Sequence, residues 1–220
     1  SSNGVGTMTV KDSGSLVNSG GDFNIGDVDT SNGTLNLQNN ATATISGPTF
    51  IGKNGTTGAV NLTGASAMTV SNNTNVGGGS GSHGSLSSGG TSTFLSTGRI
   101  HVGPDAGSTG TLLVEGSAVC GTNSYISIGY NGGGSMTVKD SATFNGGNDF
   151  SVNENGDVAT SLTLQDTATV NVTGSTFVGR NTGRVGTVTQ TGGTFNGNGN
   201  EFQIGRSGTA SRATKMISAP

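Results

Sequence analysis

The sequence predicts an all-β fold, a single-stranded parallel β-helix of about eight coils, each 24–27 residues long and carrying three short strands. Three observations predict it. A short phrase recurs along the whole chain, apolar residues fall into columns at a nearly constant step, and the composition suits a fold that builds its core between repeats. Hydrophobic residues make up only 29% of the 220-residue chain, while glycine alone numbers 42. That is too little apolar material for a conventional two-layer domain, which uses roughly 45–50%. Disorder is the other reading of such a composition. Disorder usually comes with high net charge, and here it is −3. A flexible chain also has no reason to hold Ile or Val at a fixed step.

The first strand of each unit is glycine, a small polar residue, then apolar, polar, apolar. It reads Gly6-Thr7-Met8-Thr9-Val10, Gly33-Thr34-Leu35-Asn36-Leu37 and Gly58-Ala59-Val60-Asn61-Leu62. It returns at Gly110 and Gly134, with weaker copies at Gly84, Thr160 and Gly186. The second strand places a large apolar residue after a small and a polar one. Its column is expected to be Leu16, Ile45, Val70, Phe94, Val119, Phe144, Val170 and Phe195. The third strand ends in an apolar residue before a turn, giving Ile25, Ile51, Val76, Val102, Ile128, Val152, Val178 and Ile204. Glycine follows in every unit but one, where Asn153 stands, so this turn position requires positive φ. Each phrase alternates apolar and polar, the period of a strand, and no stretch shows a helical period. Residues 1–220 therefore read as one solenoid domain whose coils bury their inward faces on each other.

The phrases GTMTVKDSGSLV, GGDFNIG, GTLNLQNNATATI and GSMTVKDSATF resemble the autotransporter-associated and PEP-CTERM-type repeats of bacterial surface proteins. The resemblance covers essentially the whole chain. It implies a right-handed parallel β-helix, and a place in a stalk, passenger domain, adhesin or extracellular matrix. Function does not follow from such a fold alone.

Residue chemistry narrows the options. Nine basic residues among twelve acidic ones offer no clustered positive face for nucleic acid. No apolar run approaches the roughly 20 residues of a membrane span. Polysaccharide-cleaving β-helices resemble this fold, but they wall a cleft with long loops, and here coil length varies by three residues. Asp140 and Asp166 share a position in adjacent coils and read as turn aspartates, not a catalytic pair. No catalytic or cofactor-binding residue is assigned, and the chain is expected not to be an enzyme. Asp27, Asp29 and Ser31 faintly resemble a calcium loop. Gln38 occupies the place of its bidentate glutamate, so a plain turn is the better reading and calcium only a remote cofactor. Residues 153–157 are a weaker loop of the same kind. His83 and His101 share no metal spacing with each other or with Cys120, and both read as solvated. Cys120, the single cysteine, excludes an internal disulfide and is expected to face outward behind Val119. Tyr125 and Tyr130 are too few for a lectin surface. An outward threonine row (Thr44, Thr69, Thr93, Thr143, Thr169, Thr194, interrupted by Ala118 and Ser15) invites an ice-binding reading, though β-propensity accounts for it.

Charges are expected to ladder between coils, Asp27 to Lys53, Glu115 to Lys139 and Glu154 to Arg180. The first coil is acidic, with Asp12, Asp22, Asp27 and Asp29, and the end of the chain is basic, with Arg206, Arg212 and Lys215. No capping helix is evident at either end, and no export leader precedes the first repeat. These features lead to the expectation of an extracellular or cell-surface structural subunit that partners with itself, head to tail, in a filament or surface layer. An adhesin stalk binding a surface glycan is the alternative.

Overall fold

The computed structural model describes residues 4–28, 30–199 and 201–206, together with the backbone of strand Arg212–Ile217. Among these residues there is no helix, and 25 strands run in three parallel sheets. The first sheet takes every third strand from Val5–Val10 onward and has nine. The second starts at Ser15–Asn18 and the third at Phe23–Ile25, with eight each. Every strand pairs with its counterpart one coil away, so the chain winds as a solenoid of about eight coils.

The register reproduces the repeat read from the sequence. Gly6 pairs with Gly33, Gly33 with Gly58, Gly58 with Gly84 and Gly110 with Gly134. The first sheet therefore sends two columns inward, one running through Leu35, Val60, Leu86 and Leu112, the other through Leu37, Leu62 and Val114. The third-strand column is in register from Ile25 through Ile51, Val76, Val102, Ile128, Val152 and Val178 to Ile204, as expected. All but Ile204 are buried. At the turn that follows, Asn153 adopts φ 58°, close to the 67–82° of Gly77, Gly103 and Gly179. Its Nδ2 donates to the carbonyls of Val158 and Val185, which compensates for the side chain's presence there. Gly58 cannot be replaced in the same way. A Cβ there would lie 2.1 Å from the Gly52 amide nitrogen and 2.2 Å from the Ile25 carbonyl oxygen.

The second sheet corrects the expected column. Leu16 pairs with Ala43, Ala43 with Met68, Met68 with Phe94, Phe94 with Cys120 and Cys120 with Phe144. Ile45 and Val70 are buried, but two residues further along, in a second inward column shared with Ser96 and Val172. Each second-sheet strand has two inward positions, and where Ala43 fills the first, the larger Ile45 in the second draws the eye. Val119 faces outward at 42% exposure, and Cys120 is the core residue at 1%. Val170 is buried, while Leu16 and Phe195 are only partly buried. Ala118 is also buried, in a tight corner with Ala41, Ser66, Ser92, Ala142 and Ala168. The threonine row changes accordingly. Thr93 is in register with Ala67 and Val119, whereas Thr44 and Thr69 align with Leu95, so neither outward rank is a continuous line of threonine.

Four phenylalanines meet edge to face in succession, Phe144 and Phe150 buried, Phe195 partly buried and Phe202 exposed. Ring centroids lie 6.2 Å apart for Phe144 and Phe150, 5.8 Å for Phe150 and Phe195, and 5.6 Å for Phe195 and Phe202. Such pairs contribute about 0.5–1.5 kcal/mol beyond their buried area.

Candidate functional site

The acidic residues singled out in the sequence are engaged in joining coils. Asp12, Asn39, Asp140 and Asp166 all sit at φ between 55° and 61°, at the turn between the first and second strands. The Gly116 amide donates to Asp140 Oδ2 at 2.8 Å, and the Asp140 amide donates to Asp166 Oδ2 at 3.0 Å. Asn39 Nδ2 donates to Asp12 Oδ1 at 2.6 Å. Asp140 and Asp166 thus cap backbone N–H groups of the preceding coil, and Asp12 accepts from a side-chain amide of the following one.

The calcium reading fares similarly. Asp27 accepts from Asn24 Nδ2 at 3.0 Å and lies 3.8 Å from Lys53 Nζ, while the Ser31 hydroxyl accepts from the Asp27 amide at 3.2 Å. Asp29 lies outside the described residues. No cluster of three or more metal-ligating side chains occurs among the described residues. In the second loop, Glu154 pairs with Arg180 at 3.1 Å and Asp157 pairs with Arg184.

The expected charge ladders form, with Lys139 Nζ 2.8 Å from Glu115. Lys53 also reaches Asp22 at 3.0 Å, a pairing the sequence did not suggest. Of the residues expected at an assembly interface, Asp12, Asp22 and Asp27 are thus engaged within the molecule. Arg206 stacks over the Phe177 ring at 4.9 Å. Arg212 and Lys215 belong to the strand paired with Val185–Gln190, and their side chains lie outside the described residues.

One lateral feature has a different character. Along the outward rank of the third sheet, His101 is followed in register by Ser127 and Ser151. Strand alternation points these side chains away from the core. Both serines are nevertheless fully buried, so neighbouring side chains close over the sheet there. On the same coils lies a cleft of about 260 Å³ lined by Arg99, Tyr125, Tyr130, Asn148, Asp149, Glu154 and Arg180. His101 stacks on Tyr130, with centroids 4.9 Å apart and rings 8° from parallel, and meets Tyr125 edge-on at 6.0 Å. It is not the solvated residue expected from its sequence. Burial, helped by Arg99 and opposed by Asp105, lowers its pKa to about 4. Burial raises the Glu154 pKa, and Arg180 and Arg99 oppose that shift. Five buried polar atoms here have no hydrogen-bond partner: His101 Nε2, Tyr125 Oη, Ser127 Oγ, Ser151 Oγ and Glu154 Oε2.

Sequence reading missed this cleft because its members are scattered over four coils. The repeat period would have assembled it. His101, Ser127 and Ser151 stand one coil apart, as do Arg99 and Tyr125, and Tyr130, Glu154 and Arg180.

Cys120, expected outside, lies in the interior beside Ser88, and burial pushes its thiol pKa up to about 12. A thiol so protonated is no nucleophile at neutral pH. No family model matches this chain, and no curated protein or solved structure is similar to it.

Proposed function

We propose that the chain is a structural solenoid of an extracellular or cell-surface assembly, which stacks coil on coil with copies of itself. The observation that carries this reading is the unbroken register of all three sheets. Columns sealed inside the solenoid emerge at its ends. Met8 is 48% exposed although its register mate Leu35 is 2%, and Ile204 is 45% exposed against 2% for Val178. A further coil laid on either face, whichever chain supplies it, would cover these side chains and pair with the strand edge. A contact of this kind does not close into a ring and grows an open fibre. Apolar columns support stacking more strongly than charge does, because Asp22 and Asp27 already pair with Lys53.

Sedimentation velocity over a wide concentration range tests the proposal. Species that grow without limit as concentration rises are expected. A single monomeric boundary at every concentration and salt level would overturn it. A second reading, a stalk with a ligand on its side, is favoured by the cleft around Tyr125 and Tyr130. The resemblance to bacterial surface repeats fits both.

A further inference from the structure

The geometry points to the lateral cleft around Tyr125 and Tyr130 as a binding site for an acidic saccharide unit, a six-membered sugar ring bearing a carboxylate. This goes beyond the structural role and stands whether or not the coils polymerise.

The ligand class follows from what the lining can and cannot satisfy. Its volume, about 260 Å³, falls below the roughly 300–1,000 Å³ of pockets that hold drug-sized molecules, so it suits a single small ring. Two aromatic rings line it, which calls for an apolar face on the ligand. Asp149 and Glu154 bring carboxylate oxygens, which accept hydrogen bonds and repel a multiply charged anion such as a phosphate. They call for hydroxyl donors instead. Arg180 is tied to Glu154 at 3.1 Å. Arg99 is exposed, and its guanidinium makes no ion pair or side-chain hydrogen bond among the described residues. One uncommitted guanidinium matches one carboxylate, in the two-pronged geometry that arginine favours. A hydroxylated ring with one carboxylate meets all of these demands together.

The unpartnered atoms support a ligand independently. Leaving a buried polar group without a partner is costly, and natural folds keep such groups few. Here five fall in one place, among them Tyr125 Oη and Glu154 Oε2 on the cleft wall. Of these five residues Tyr125 and Glu154 line the cleft, and hydroxyls that both donate and accept suit a phenol and a carboxylate alike.

The chain has two tyrosines and no tryptophan, so its intrinsic fluorescence reports on this cleft alone. The purified chain is titrated with D-glucuronate, with neutral methyl glucoside and with acetate while tyrosine emission is followed. The expected result is a saturable change with glucuronate at millimolar concentration, and binding weaker by about tenfold or more for the neutral sugar. Arg99→Ala, an exposed position, is expected to lower glucuronate affinity by a similar factor with an unchanged circular dichroism spectrum, and Lys11→Ala to have no effect. The proposal is overturned by the absence of any saturable response to glucuronate, by acetate matching glucuronate, or by Arg99→Ala binding as the wild type does.

Discussion

At position 120 a thiol sits where a column of Phe94 and Phe144 passes, and its neighbours exclude water on every side. The consequence is chemical silence. Thiol reagents at about pH 8 should label Cys120 no faster than the protein unfolds, and at once in denaturant; rapid native labelling would place the residue outside. His101 illustrates the opposite sign of the same burial effect. Its pKa falls from 6.5 to about 4, so the fold favours the neutral ring. Unfolded chains take up the proton below about pH 6.5, and the native state resists until about pH 4. The stabilising effect of neutral His101 is therefore complete above pH 6.5 and lost as pH falls toward 4. Urea unfolding of wild type and His101→Asn should show the stability difference shifting against wild type over that window, by no more than about 3 kcal/mol. A pH-independent difference would mean that the ring is solvated. Neither environment was legible from local sequence, because what surrounds these side chains comes from other coils.

Strands and turns were more legible. In the first and third sheets the inward apolar positions recur at a fixed place in the strand, so the repeats at Gly33, Gly58 and Gly110 and the Ile25–Ile204 column could be read directly. The second sheet is harder because its short strands have two inward positions and share bulk between them unevenly. Ala43 is small where Phe94 is large, and Ile45 is large where Ser96 is small. Local pattern cannot choose between such positions; stacking on the neighbouring coils does. The distinction is measurable by chemical denaturation. Phe144→Ala, in the sealed column, should cost about 3–5 kcal/mol, and Val119→Thr, on the outward rank, should stay within about 0.5 kcal/mol. Comparable losses at both positions would contradict the register. The lateral cleft escaped local reading for the same reason as the second-sheet column, since Arg99, Tyr125 and Glu154 are neighbours only after winding.

Across the molecule, each coil depends on its neighbours and on little else, so stability adds up along the axis. Excising one whole period should then be tolerated. Deleting residues 110–133 places Gly134 where Gly110 stood, and the shortened chain should keep its β circular dichroism and unfold cooperatively; removing half of that segment should abolish both. Loss of folding on the full-period deletion would mean that the coils are not equivalent units. In the proposed self-stacking, the same equivalence would let one molecule supply the next coil of another. Electron cryomicroscopy of the purified chain tests that claim most directly. Fibres whose strands continue across subunit boundaries at about 4.8 Å per coil are the predicted result. Separate short rods at every concentration would contradict self-stacking.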